Sequence, residues 1–264
     1  MTPPRRRNDR SARKFGAHRP RNEAPASGLE WLWGRHAVEA ALANPGREDL
    51  QRLLLAPGRT LSQGDGRLTP EVAENQEISL ALPAGAVHQG FALLAKPLEP
   101  ASIDEIGEPA EGVILMLDQV TDPQNVGTIL RSAAAFGAKG VVMQERHAPQ
   151  LGGVLAKAAA GTVDRVPVAR VVNLSRALER LSDLGWRTVG LASQAERTLD
   201  EALDGSPTVL VLGSEGEGMR RLVAEHCDTV ANISMAGGFE SLNVSAAAAI
   251  GLYQATLSLR ARTR

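Results

Sequence analysis

The sequence predicts an α/β protein built on a mostly parallel sheet and preceded by a smaller α/β unit. Three observations predict it. From residue 112 onward, short apolar runs alternate with segments of helical spacing, the rhythm of a parallel sheet covered on both faces. Before residue 98 the elements are shorter and less regular, which marks a separate front unit. Aromatic residues make up only 3% of a chain that is 43% hydrophobic, so the cores must rest on Val, Leu, Ile and Ala.

Residues 1–27 combine Pro, Arg and Gly with almost no apolar content and are expected to form a disordered basic tail. The front unit spans 28–97. Ala37, Val38, Ala41 and Leu42 repeat at helical spacing over 34–43, and Asn44-Pro45-Gly46 stops that helix. Strands are expected at 51–55, 77–82 and 90–95, with the Gly-rich 57–68 as a loop. The proline- and acid-rich stretch 98–111 reads as a linker. The main unit, 112–264, should place strands at 113–117, 140–143, 164–168, 187–191, 208–212 and 229–233. Helices are expected at 126–136, 151–160, 173–184, 218–226 and 242–259. In such sheets ligands bind beyond the carboxyl ends of the strands, so the loops after the first, fifth and sixth strands are where chemistry is sought.

Composition excludes several classes. No apolar run approaches the roughly 18 residues of a membrane span. Cys227 is the single cysteine, which rules out an internal disulfide, fits a reducing compartment and points to a cytoplasmic protein. The five histidines show no ligand spacing, so no metal site is expected and Cys227 reads as structural. Net charge is −1, but residues 1–27 hold eight basic and two acidic residues, leaving 21 basic and 28 acidic in the rest. A basic arm on an acidic body suits a polyanion binder, and equally a tail that only aids solubility. The arm's composition also matches a mitochondrial transit peptide; a secretory signal is excluded because no apolar stretch follows the arginines.

Three motifs fall on the chosen loops. After the first strand comes D-Q-V-T-D-P-Q-N-V-G-T-I-L-R-S-A, from Asp118 to Ala133. Asp122-Pro123 starts a helix well; Asn125 could be a plain first-turn residue, and Arg131 a solvent-facing one or a cation reaching across a cleft. After the fifth strand comes G-S-E-G-E-G-M, from Gly213 to Met219, whose glycines permit tight turning. Its Glu215 could be an ordinary loop carboxylate. Neither G-x-G-x-x-G nor G-x-x-x-x-G-K-[ST] occurs in the chain, which argues against dinucleotide and Walker-type nucleotide sites. After the sixth strand comes I-S-M-A-G-G-F-E-S-L-N-V-S, from Ile233 to Ser245, where Ser241 could simply cap the long helix that follows.

Together these motifs closely resemble the three signatures of the SpoU (TrmH-like, SPOUT) RNA ribose methyltransferases, over about 150 residues. The front end, with Trp33-Gly34-Arg35-His36-Ala37-Val38 and Val87-His88-Gln89-Gly90, resembles the RNA substrate-binding domain of the RlmB branch, which methylates a guanosine of large-subunit ribosomal RNA. Two departures stand out: a shortened stretch between 56 and 78, and the bulky Phe239-Glu240 before S-L-N.

The resemblance implies a deep C-terminal trefoil knot, which sequence reasoning alone would have excluded. It implies S-adenosylmethionine as cofactor, held by backbone at Gly213, Ile233 and Leu242. It implies a catalytic set of Asn125, Arg131, Glu215, Ser241 and Asn243, with RNA as partner and a homodimer as the assembly. Ser245-Ala246-Ala247-Ala248-Ala249 is small enough for close helix approach, which agrees with pairing. A transfer-RNA ribose is the rival substrate. A catalytically inactive RNA-binding scaffold is the rival class, and it would predict losses among the five motif residues, none of which is lost.

Overall fold

In the computed structural model, which describes residues 28–62, 66–236 and 241–262, two sheets organise the chain. The basic tail 1–27 and Phe239-Glu240 lie outside the described residues. The front sheet contains β1 (Glu30–Trp33), β2 (Leu50–Leu55), β3 (Glu71–Val72) and β4 (Phe91–Ala95) in the order β1-β4-β2-β3. Helices α1 (Arg35–Ala43) and α2 (Asn75–Ala81) cover its two faces, around separate cores containing Leu32, Leu53 and Leu93, and Trp33, Leu54 and Ile78.

The second sheet is parallel throughout. It contains β5 (Val113–Leu117), β6 (Gly140–Gln144), β7 (Val168–Val171), β8 (Arg187–Leu191), β9 (Thr208–Leu212) and β10 (Thr229–Ala231), in the order β10-β8-β9-β5-β6-β7. Every residue of β5 and β9 is buried, as expected of central strands covered on both faces. One face carries α4 (Pro123–Phe136), α5 (Gly153–Ala158) and α9 (Val244–Arg262) over a core that includes Leu115, Ile129 and Leu252. The other face carries α3 (Ile103–Gly107), α6 (Leu174–Asp183) and α8 (Arg221–Glu225) around Ile114, Leu178 and Trp186. A short α7 (Leu199–Ala202) precedes β9. No described helix is long and apolar enough to cross a membrane.

Three expectations need correction. The stretch 77–82 is helical, not a strand: Glu74 and Glu77 close a reciprocal capping box, and Ile78 and Leu82 are buried while Leu80 is exposed. The alternation of Ile78, Leu80 and Leu82 imitated a strand, but i and i+4 are what the fold buries. The expected strand 164–168 instead opens as a 3-10 turn, Thr162–Asp164, and pairing begins at Val168. Pro167 can donate no ladder bond, and the Asp164 carboxylate is taken by Arg47. Finally, 98–111 is firmly docked. Ser102 caps α3 with its own box, Ile106 is buried, and Trp186 Nε1 donates to the Gly107 carbonyl at 2.8 Å.

Polar contacts, some part-buried and some exposed, join the two units. Arg47, 3% exposed, donates Nε to Asp164 Oδ1 at 2.5 Å and Nη1 to the Lys96 carbonyl at 3.0 Å. Asn44 also donates to Asp164 Oδ1, at 3.1 Å. Lys157 Nζ donates to Gln89 Oε1 at 2.8 Å, and burial lowers the Lys157 ammonium below its ordinary value. Glu30 sits 3.5 Å from Arg47; burial raises its carboxyl while Arg47 pulls the other way.

Candidate active site

Three strand-end loops converge at the carboxyl edge of the parallel sheet. The first begins with Asp122, whose side chain accepts from Gln124 N at 3.0 Å and starts α4 with Pro123 in its first turn. That cap fixes Asn125 at the mouth of the sheet. The second loop doubles back on itself: Ser214 and Gly218 pair as an antiparallel bridge, and a Cβ at Gly213 would lie 2.0 Å from the Gly218 carbonyl carbon. No residue but glycine fits there. Gly216 and Gly218 have φ of 92° and 70°, the left-handed region that glycine enters at no steric cost.

The third loop leads into α9. Asn243, not Ser241, caps that helix: its Oδ1 accepts from Ser245 N at 2.9 Å and from the Ser245 hydroxyl at 2.5 Å. With its oxygen so engaged, the Asn243 amide directs Nδ2 outward. It donates to Asn125 Oδ1 at 3.0 Å and to Glu215 Oε1 at 2.5 Å. Glu215 Oε1 also accepts from Asn125 Nδ2 at 3.1 Å and from Val244 N at 3.3 Å. One carboxylate oxygen therefore ties all three loops together, and both amide orientations follow from the bonds they make.

A cavity of about 330 Å³ opens beside this network. Gly213, Ile233, Leu242, Glu215 and Ser241 all border it, so five of the eight residues anticipated from sequence share one wall. Asn125 and Asn243 join through hydrogen bonds. Arg131 is not brought into the network: it stands exposed on α4 two turns beyond Pro123, with no hydrogen bond or ion pair among the described residues. Among the described residues no lysine or arginine borders the cavity.

Two contributions were not anticipated. Leu191, Ala192, Ser193 and Gln194, at and after the end of β8, form a further wall; β8 lies beside β9 in the sheet, as it does in the chain. Asp118, fully buried at the end of β5, accepts from Arg220 N and Arg220 Nε, both at 2.8 Å. It thereby pins the segment against which Gly213 folds. Away from the cavity, burial and the neighbouring Asp228 push the Cys227 thiol up to about 12, so it stays protonated and unreactive at neutral pH. No cluster of metal-ligating side chains occurs among the described residues.

Comparison with known proteins gives this geometry a context. Residues 112–253 match the model of the SpoU rRNA methylase family, and residues 31–101 match that of the RNA 2'-O ribose methyltransferase substrate-binding domain. The 23S rRNA (guanosine-2'-O-)-methyltransferase RlmB of Pseudomonas aeruginosa is 38% identical, over 89% of this chain and 97% of its own. A putative TrmH-family RNA methyltransferase from Porphyromonas gingivalis superposes with a TM-score of 0.71 at 27% identity, covering 86% of this chain and 89% of that one. The SpoU methyltransferase AviRb from Streptomyces viridochromogenes, solved with the cofactor AdoMet, shares the fold with a TM-score of 0.73 at 24% identity, over 89% and 91% of the two chains.

Proposed function

The chain belongs to the SpoU rRNA methylase family, and from that premise we propose that this RNA methyltransferase modifies the ribose 2′-hydroxyl of a guanosine in large-subunit ribosomal RNA. The observation that carries the reading is the Asn125–Glu215–Asn243 network set against a cavity that no cationic side chain among the described residues borders. The guanosine and the ribosomal target rest on the RlmB relative, aligned nearly end to end, front unit included. A ribosomal RNA substrate agrees with a cytoplasmic location.

The cavity suits S-adenosylmethionine. Its borders combine backbone-rich glycine turns with the apolar Leu191, Ile233 and Leu242, and among the described residues the only charged side chain there is the Glu215 carboxylate. A sulfonium cation is tolerated by such a wall and would be repelled by lysine or arginine. Backbone groups at Gly213, Ile233 and Leu242 would hold the cofactor. When bound, it supplies a methyl group already activated for transfer, so the protein must chiefly align the ribose and manage one proton.

Glu215, Asn125 and Asn243 form a rigid frame that orients the ribose oxygen, and Ser241 offers a hydroxyl at its rim. Arg131 keeps its planar fork uncommitted. An arginine releases its proton only above about pH 12, so its role is to grip the target phosphate and to stabilise negative charge developing on the 2′-oxygen. We further propose that the chain around β10 and α9 forms a deep trefoil knot. The support is that β10 lies at the sheet edge beside β8, while α9 returns across the sheet to pack on α4.

The test is direct. Purified protein, labelled S-adenosylmethionine and RNA from a strain lacking the gene should yield 2′-O-methylguanosine in ribosomal RNA and none in transfer RNA. Methylated transfer RNA alone would overturn the substrate assignment. Tight RNA binding without any transfer would make the chain a scaffold.

A further inference from the structure

The β5–α4 loop separates two cavities. The first, already described, lies at the carboxyl ends of β8, β9 and β10. The second, of about 680 Å³, opens between the front unit and the carboxyl ends of β5 and β6. Trp31 and Trp33 of β1, Pro83, Pro123, Pro149 and Val154 border it. Because β5 stands between β9 and β6 in the sheet, the Asn125 network sits at the divide, and Pro123 is two residues from Asn125.

The second cleft has an unusual composition for this chain. Aromatic residues are scarce, yet two of the three tryptophans flank one opening. Trp31 is half-buried, and Trp33 has its ring edge against Gly153. Flat apolar walls suit the face of a base and not the phosphate backbone. The volume falls within the roughly 300–1,000 Å³ of small-ligand sites.

One polar group interrupts the apolar wall. The Glu30 carboxylate borders the cleft, and its Oε1 is sealed from solvent without a hydrogen bond. That oxygen is turned to Arg47, its ion-pair partner at 3.5 Å, which also serves Asp164 and the Lys96 carbonyl. The cluster thus holds one cation and two carboxylates. Gly152 makes room for it, since a Cβ there would lie 1.7 Å from Glu30 Oε2. A carboxylate is an acceptor-only group, and with Oε1 turned to Arg47 it is Oε2, over Gly152, that a ligand bringing N–H donors would meet.

We propose that this cleft holds the base of the target nucleotide, a guanine, stacked on Trp31 with its N1–H and 2-amino group donating to Glu30. Guanine is the base that presents two adjacent N–H donors on its pairing edge, which the two lone pairs of that one oxygen can take together. With the base there, the sugar falls at the Asn125 frame and its 2′-oxygen faces the first cavity. The inference rests on the function proposed above and adds the base-reading element to it.

The full chain would be assayed on a ribosomal RNA fragment spanning the mapped target, made with guanosine or with inosine, which lacks the 2-amino group, at that nucleotide. Wild type should favour guanosine by about tenfold in kcat/KM. Glu30→Gln should lose that preference and fall roughly tenfold to a hundredfold on guanosine. Trp31→Ala should raise KM about tenfold with kcat little changed, and Trp31→Phe should restore most of it. Should Glu30→Gln fail to fold, Val154→Trp decides: residue 154 is exposed on the cleft rim, away from the Arg47 cluster, and the larger ring should raise KM by obstruction alone. Equal rates on inosine and guanosine in the wild type, or a KM within twofold for both Trp31→Ala and Val154→Trp, overturns the proposal. A methylated nucleotide other than guanosine overturns this inference and leaves ribose methylation standing; a chain that methylates no ribose overturns both.

Discussion

Arg131 and Asp118 illustrate opposite kinds of dependence on the fold. Arg131 stands exposed, outside the Asn125–Glu215–Asn243 frame, so its removal should leave that frame intact. Arg131→Ala is expected to abolish methyl transfer while S-adenosylmethionine affinity, measured by calorimetry, stays within a few-fold. Arg131→Lys should fail as well, because an ammonium cannot reproduce the planar fork. A matching loss of cofactor affinity would show that Arg131 belongs to the cofactor wall. Asp118 is buried and holds Arg220 by two hydrogen bonds. Since Arg220 is itself 43% exposed, Asp118→Ala should cost about 2–3 kcal/mol in urea unfolding, below the 3–5 of a fully buried pair, and should weaken cofactor binding through the displaced turn. The motif residues were legible because their spacing resembles a known family. Asp118 stands at the head of the same motif, yet its partner lies 102 positions away, and spacing says nothing about such a contact.

Among the elements, most strands and helices of the parallel sheet were read from sequence, the start of β7 excepted, because fully buried strands such as β5 and β9 leave uninterrupted apolar runs. The front unit was harder. Its two-residue β3 is too short to show a period, as is the four-residue α7 of the main unit, and α2 satisfies a strand pattern and a helix pattern at once. The docked segment carrying α3 was misread because prolines and acids mask a single buried Ile106. The turn from Gly213 to Gly218 was legible as glycine-rich, but its reason is steric and lies in the fold. Gly213→Ala would set a Cβ 2.0 Å from backbone, so the turn must open. We expect cofactor affinity to fall at least tenfold, with a melting temperature lowered by several degrees. An alanine variant that binds as wild type would mean that the turn does not shape the cavity.

For the whole molecule, α9 presents apolar side chains on two sides. Its inner stripe of Val244, Ala248, Gly251, Leu252 and Ala255 is buried, while Ile250, Tyr253 and Leu257 remain exposed on the far side. A helix apolar on two sides asks for a second partner. We propose that a second copy supplies it, near the Leu242 edge of the cavity. Sedimentation at micromolar concentration should give a dimer, and Tyr253→Glu with Leu257→Glu should give a monomer; an active wild-type monomer would contradict this. The central claim, methylation of a ribosomal guanosine ribose, is tested most directly by mapping 2′-O-methylation across all ribosomal and transfer RNA in a strain deleted for the gene. The account predicts that one guanosine of large-subunit ribosomal RNA loses its mark, and that the wild-type gene but not Arg131→Ala restores it. An unchanged ribosomal pattern, or a lost mark confined to transfer RNA, would contradict it.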